Sequence, residues 1–199
     1  ILDEAGFASA VIVGSNELDE FRIRNLKSQG SPITVWGVGT RLVTAYDNPA
    51  LGGVYKLSAV RRAGESWQYK VKISEEHGKI TVPGILQVRR YSTGGQFVAD
   101  VLYDRELGIE DDSRSMQLLT DGSDFSLPRF DGYADLLVPV FRKGACVYTS
   151  PPLDEIREYA RAQISHLAEN IRALDKSGRY PVGLEKNLAR FRDRLIGKI

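Results

Sequence analysis

Two short apolar runs, Ala10-Val11-Ile12-Val13 and Ile33-Thr34-Val35-Trp36, lie one helix-length apart near the start of the chain. Continuous apolar runs of this length read as buried strands of a parallel sheet, not as strands with one wetted face. Between them Leu18, Phe21, Ile23 and Leu26 recur at helical spacing. Ser15 or Asn16 is placed to cap that helix, and Gly30-Ser31-Pro32 to stop it. Strand, helix and strand in this order predict a βαβ unit with a right-handed crossover. The opening of the chain is thereby committed to an α/β arrangement.

The rhythm then changes twice. Val54 to Leu57 and Tyr69 to Ile73 alternate apolar with polar residues around a turn at Ala63-Gly64-Glu65-Ser66, the pattern of a hairpin. Gln87 to Tyr91 and Phe97 to Tyr103 flank Ser92-Thr93-Gly94-Gly95 in the same way. Glu110 to Arg114 reads as an exposed charged loop, and Leu136 to Phe141, interrupted by Pro139, as a buried strand or loop. From Ser150, read as an N-cap before Pro151-Pro152, an apolar stripe of Leu153, Ile156, Ala160, Ile164, Leu167, Ile171 and Leu174 predicts one helix ended by Ser177-Gly178. Tyr180-Pro181-Val182 crosses over to a short last helix carrying Leu184, Leu188, Phe191 and Leu195.

Charge and chemistry-bearing residues exclude several functions. Lys plus Arg number 27 against 26 Asp plus Glu, so no global field collects nucleic acid or an anionic membrane. No apolar stretch is long enough to span a bilayer, and no basic-flanked leader is visible. Cys146 stands alone in an apolar run, which excludes an intrachain disulfide and reads as core; a reducing cytoplasm is the expected compartment. With His77, in a solvated turn, and His166 as the two imidazoles, a histidine-rich metal site is excluded. Asp19 and Glu20 are adjacent and point apart on a helix, so they form no carboxylate pair. Arg61-Arg62 and Arg89-Arg90 alternate faces on strands, with one of each pair in solvent.

Two loops carry the chemistry. Trp36-Gly37-Val38-Gly39-Thr40 follows the second apolar run; its glycines permit positive φ and a close approach of backbone N–H groups to an anion. A short helix after Thr40 would add its N-terminal dipole, and the Thr40 hydroxyl a donor. The other reading of Gly37, Gly39 and Thr40 is a tight strand-to-helix turn without a ligand. Gly14-Ser15-Asn16 sits at the equivalent end of the first run, either facing a ribose or phosphate or capping the helix. Two such loops on one sheet edge point more strongly to a ligand than either alone.

Taken together, Leu2 to Phe7, Val13 to Glu20, Trp36 to Thr44, Pro49 to Leu57, Lys72-Ile73-Ser74, Lys79 to Gly84, Arg90 and Tyr180-Pro181-Val182 resemble nicotinate phosphoribosyltransferase in order and spacing over nearly the whole chain. The pattern departs at Leu86, where a basic residue is expected after the Pro-Gly; no anion contact is carried over there. The resemblance implies an NAD-salvage enzyme that joins nicotinate to phosphoribosyl pyrophosphate, giving nicotinate mononucleotide and pyrophosphate with coupled ATP hydrolysis. It implies the C-terminal part of an irregular α/β barrel of the type II phosphoribosyltransferase kind, followed by an antiparallel β region and C-terminal helices. Residues 1–75 would be late barrel strands and helices, 76–149 a β-rich segment returning to a second domain, and 150–199 the closing helices.

On that mapping Gly37, Gly39 and Thr40 hold the 5′-phosphate, and Gly14, Ser15 and Asn16 lie near the ribose phosphate. The family's phosphorylatable histidine and its nicotinate- and pyrophosphate-binding residues fall upstream of Ile1, so no catalytic residue and no metal ligand is assigned here. Mg2+ and ATP are implied by the resemblance and encoded by no motif in this sequence. The implied partners are nicotinate, phosphoribosyl pyrophosphate, ATP, the remainder of the same chain and a second copy in a homodimer, with neither nucleic acid nor membrane. The 199 residues alone are expected to show no turnover. Competing readings are a phosphoribosyltransferase using nicotinamide or quinolinate, and a non-catalytic phosphometabolite-binding or structural domain.

Overall fold

The computed structural model describes residues 1–50, 52–75, 80–110, 114–175 and 178–197. The readings made for His77 and for Asp111 to Ser113 and Ser177 lie outside the described residues. The chain divides into two compact units, 1–54 and 55–199.

In the first unit β1 (Val13–Ser15), α1 (Glu20–Ser28), β2 (Val35–Gly37) and α2 (Thr40–Val43) follow one another. β1 and β2 pair in parallel, as the βαβ reading requires. The strands sit later than the apolar runs, and they are not buried: Val11 is 64% exposed and Val13 59%. Parallel strands are usually covered on both faces, and a two-stranded sheet with a single crossover helix has too little apolar surface of its own to do that. Asp19, not Ser15 or Asn16, caps α1, its Oδ1 accepting from the Arg22 N–H at 2.7 Å. The apolar residues of α1 predicted the helix correctly but none of them is buried; among the described residues of this unit, Leu18, just before the helix, is the buried apolar side chain.

The second unit is built on a six-stranded mixed sheet. A small antiparallel pair, β3 (Ala59–Val60) and β4 (Gln68–Tyr69), comes first. It is shorter than the alternation predicts: residues 54–57 form no strand and Tyr55 is fully exposed, because alternation supplies a face but no partner. Then follow β5 (Leu86–Thr93), β6 (Gln96–Asp104), β7 (Ser115–Leu118), β8 (Asp124–Ser126) and β9 (Gly132–Asp135). A separate ribbon, β10 (Phe141–Arg142) and β11 (Ala145–Cys146), precedes α3 (Leu153–Ser165), α4 (Glu169–Arg172), β12 (Val182–Glu185) and α5 (Lys186–Ile196). The sheet order is β8-β7-β12-β6-β5-β9. The β5–β6 hairpin matches its sequence signal, with Gly94 and Gly95 both at positive φ in the turn.

The sheet carries apolar residues on both faces. Tyr91, Ala99, Val101, Met116 and Leu127 form one cluster; Leu184, Leu188 and Ala189, backed by Val82, Leu86 and Leu102, form the other under α5. Leu86 is thus a packing residue, consistent with the apolar departure seen in the sequence. The antiparallel region expected here is mixed instead, because β12 inserts between β6 and β7, parallel to β6 and antiparallel to β7. Leu184, expected on a helix, is therefore a strand residue with no exposure at all.

Three further expectations are corrected. The stripe from Leu153 does not make one helix: α3 stops at His166, whose carbonyl accepts from the Phe97 N–H at 2.8 Å and whose Nδ1 lies 2.6 Å from the Gly95 carbonyl oxygen. These contacts tie the helix end to the β5–β6 hairpin. Pro152, not Ser150, occupies the N-cap, and Asp154 and Glu155 supply the favourable charge in the first turn. Cys146 and the segment from Leu137 to Phe141 are exposed, since β10 and β11 pair with each other and with no covering sheet.

Neither arginine of the Arg89-Arg90 pair is given over to solvent. Arg89 donates from Nε and Nη2 to Asp135 at 2.8 and 3.0 Å and lies between the rings of Tyr103 and Tyr133. Arg90, on the other face, donates to Asp100 at 2.9 and 2.7 Å, and Tyr180 donates to the same carboxylate. The Arg89 hydrogen bonds hold the Asp135 carboxyl below its ordinary range, against a smaller opposing effect of burial. Stability from this pair is therefore full above the unfolded-state value, about 3.9, and is lost as pH falls through the lower folded value. In urea denaturation at pH 6 and pH 3, the stability gap between the wild type and Asp135→Asn is expected to narrow on acidification. A gap that stays constant would rule the pair out as a source of acid lability.

Candidate functional site

The parallel pairing of β1 with β2, in the register Val13 with Val35, Gly14 with Trp36 and Ser15 with Gly37, brings both strands to the same sheet edge. The loops that leave that edge, Ser15 to Leu18 and Gly37 to Arg41, are the walls of one cleft of about 420 Å³. That volume lies within the roughly 300–1,000 Å³ typical of small-molecule pockets. Five of the six residues singled out in the sequence as one site or its neighbour, Ser15, Asn16, Gly37, Gly39 and Thr40, line this cleft together. Gly14 lies beneath it: a Cβ there would sit 3.1 Å from Ile33 Cδ1 and 3.3 Å from Trp36 Cε3.

The reasons for the glycines differ from those expected. Neither Gly37 nor Gly39 has a positive φ; the left-handed residues of the cleft are Asn16 at +83° and Glu17 at +49°. Asparagine tolerates that region well and glutamate poorly, so the first loop holds local strain beside the cleft. Gly37 is small because β1 is close, a Cβ there lying 3.3 Å from Ser15 Oγ. At Gly39 a Cβ would meet nothing within 4 Å, so no neighbour in the chain demands glycine there. A bare Cα at that point leaves the backbone accessible from the open side.

Because Asp19 caps α1, the side chains of Ser15 and Asn16 are not taken up by the capping role that the sequence allowed them. The helix expected after Thr40 is present but has four residues, so it adds no more than one turn of aligned peptide dipoles. Two charged side chains line the cleft, Glu17 and Arg41. Arg41 stacks over the Tyr46 ring at 4.2 Å, and its Nε lies 3.6 Å from Asp19 Oδ2. Sequence reasoning did not single Arg41 out, although its place directly after the Gly-x-Gly-Thr loop was the signal.

The other candidates do not converge on this cleft. His166 serves the α3–hairpin junction described above, with its ring 5.1 Å from that of Phe97. Among the described residues no group of three or more His, Cys, Asp or Glu is placed to hold a metal ion. Mg2+ is commonly held by one or two carboxylates together with substrate phosphates and needs no such group; no residue is assigned to it here and no step is derived through it. Among the described residues no helix is long and apolar enough to cross a membrane.

Comparison with known proteins adds to this geometry. The family profile of the nicotinate phosphoribosyltransferase C-terminal domain matches residues 87–192. The match covers the six-stranded sheet and the closing helices, and leaves out the cleft. A nicotinate phosphoribosyltransferase of Bacillus subtilis is 38% identical over 196 residues, which take in 94% of this chain and 39% of the relative. A nicotinate phosphoribosyltransferase of Homo sapiens is 30% identical over 182 residues, 90% of this chain and 33% of the relative. The chain therefore spans 39% and 33% of the length of these two relatives. The crystal structure of human nicotinic acid phosphoribosyltransferase superimposes with a TM-score of 0.64 at 22% identity, over 98% of this chain and 36% of that one. At that identity the likeness speaks for the fold.

Proposed function

The chain belongs to the nicotinate phosphoribosyltransferase family, and from that premise we propose that it carries the 5′-phosphate anchor of an enzyme of NAD salvage. The reaction proposed is the joining of nicotinate to phosphoribosyl pyrophosphate, giving nicotinate mononucleotide and pyrophosphate, with ATP hydrolysis coupled to it. The observation that carries the reading is the convergence of the two strand-end loops on one cleft. Backbone N–H groups at Gly39 and Thr40, with the Thr40 hydroxyl, would receive the phosphate oxygens, and Ser15 and Asn16 would face the ribose phosphate. Residues 1–75 would then be late strands and helices of an irregular α/β barrel, and 76–149 and 150–199 the return into a second domain. Nicotinate, ATP, Mg2+, the remainder of the same chain and a second copy complete the proposed assembly, in the cytoplasm.

The test is isothermal titration with nicotinate mononucleotide. In Gly39→Asp a carboxylate replaces open space at the anchor, where a phosphate would meet a like charge. A loss of about 100-fold in affinity, roughly 2.7 kcal/mol, is expected with the fold retained by circular dichroism. Unchanged affinity in that variant would sink the anchor. Equal affinity for nicotinamide mononucleotide or quinolinate mononucleotide would redirect the substrate assignment, and binding without any turnover in the complete protein would favour a non-catalytic role.

A further inference from the structure

We propose that Arg41 is the residue by which this cleft reads the charge of its ligand, selecting a phosphomonoester dianion over a singly charged phosphodiester. The inference rests on the phosphate reading of the cleft given above and deepens it.

Backbone N–H groups and hydroxyls bind an oxyanion through its oxygens and discriminate weakly between one negative charge and two. A full positive charge close by adds an attraction that grows in proportion to the ligand's charge. The charged side chains that line the cleft are Glu17, which opposes any anion, and Arg41, which attracts one. Charge selectivity in this cleft therefore falls to Arg41.

Its guanidinium is held from two sides. Tyr46 lies under it at 4.2 Å, and Asp19 faces its Nε at 3.6 Å. That separation is longer than a hydrogen bond, so Asp19 orients the group without occupying a donor, and a guanidinium has five. Asp19 is itself fixed, because its other carboxylate oxygen caps α1 at 2.7 Å from the Arg22 N–H. The Arg41 side chain is also 32% exposed, which leaves it open to an incoming ligand. The Asp19–Arg41 pair joins the N-cap of α1 to α2, and so links the two elements that follow the walls of the cleft.

The experiment measures binding of ribose 5-phosphate and of its methyl phosphodiester at pH 8, where the monoester is a dianion and the diester carries one charge. The proteins compared are wild type, Arg41→Gln, Arg41→Lys and Gly39→Asp, each checked by circular dichroism. Arg41→Gln is expected to lose about 10-fold or more for the monoester, the effect of one charged hydrogen bond, and less than about 3-fold for the diester. Arg41→Lys, which keeps the charge but not the fork, is expected to restore part of the preference. Equal losses for the two ligands in Arg41→Gln, or none, would overturn the role of Arg41. In that event a Gly39→Asp variant that still fails to bind either ligand leaves the phosphate anchor standing. Full binding by Gly39→Asp would instead remove the anchor, and Arg41's role with it.

Discussion

Replacing Asp104 with alanine is expected to remove about 4 kcal/mol of stability, enough to bring a domain of ordinary stability close to unfolding. Asp104 ends β6 and has no exposure at all. Its Oδ2 accepts from the Ile85 N–H at 2.6 Å; its Oδ1 accepts from the Glu106 and Leu107 N–H groups at 2.8 and 2.9 Å. The Tyr69 hydroxyl donates to the same Oδ1 from 3.4 Å, which ties the β3–β4 pair to the main sheet. Alanine leaves three backbone donors without this acceptor: the half-buried Ile85 N–H at about 1–3 kcal/mol, and those of the exposed residues Glu106 and Leu107 at about 1 kcal/mol each. With a urea slope of about 2 kcal/mol per molar, the denaturation midpoint should fall by about 2 M. A shift below about 0.5 M would mean that water replaces the carboxylate. Should alanine prevent folding, Asp104→Asn, which retains an acceptor oxygen, is expected to show a smaller loss of the same sign.

The second large effect lies at Gly183, in the middle of β12. A Cβ there would fall 2.6 Å from the Gln117 carbonyl oxygen and 2.7 Å from Met116 Sδ. The first of these atoms is backbone and the second belongs to a wholly buried side chain, so neither yields cheaply. Gly183→Ala must push β12 away from β7 or displace Met116 from the core, at about 3 kcal/mol. For a chain of this size the melting temperature should drop by roughly 6–12 °C. A drop within 2 °C of zero, on the order of what an exposed substitution gives, would show that β12 is less tightly held than its neighbours suggest. In a Met116→Ala background, itself about 2–5 kcal/mol less stable, Gly183→Ala is expected to cost less than it does in the wild type, because part of the space the new methyl needs is then open.

What the sequence made legible was local. The β5–β6 hairpin announced itself through Gly94 and Gly95, because a turn needing positive φ leaves a compositional mark. The βαβ opening was legible through the change of period, and with it the meeting of Gly14-Ser15-Asn16 and Gly37-Val38-Gly39-Thr40 at one edge. Features set by distant neighbours were not. Tyr180, Val182 and Leu184 do alternate, but Pro181 and Gly183 between them argue against a central strand; the strand exists because β6 and β7 leave a slot between them that a glycine can enter. Arg89 and Arg90 looked half-solvated because their partners, Asp135 and Asp100, are 46 and 10 residues away. The cap was placed at Ser15 or Asn16 and lies instead at Asp19, because the backbone decides: Asn16 and Glu17 take the left-handed conformation and Asp19 the extended one. The position of Arg41 in the cleft likewise depends on Tyr46 and Asp19, which flank it from opposite directions in the chain.

The place of β12 also sets an order of events during synthesis. Strands β6 and β7 are close in sequence, yet they are joined through residues 182–185 and not through each other. While a ribosome is still short of residue 185, β5, β6 and β9 can assemble on one side and β7 with β8 on the other, but the two halves have no shared seam. Closure requires a segment made about 64 residues after β7 ends, a non-local step of the kind that slows folding. Nascent chains released early would therefore present two unpaired strand edges in the same molecule, a state open to aggregation. The glycine at position 183 then bears on survival at birth as well as on the stability of the finished fold.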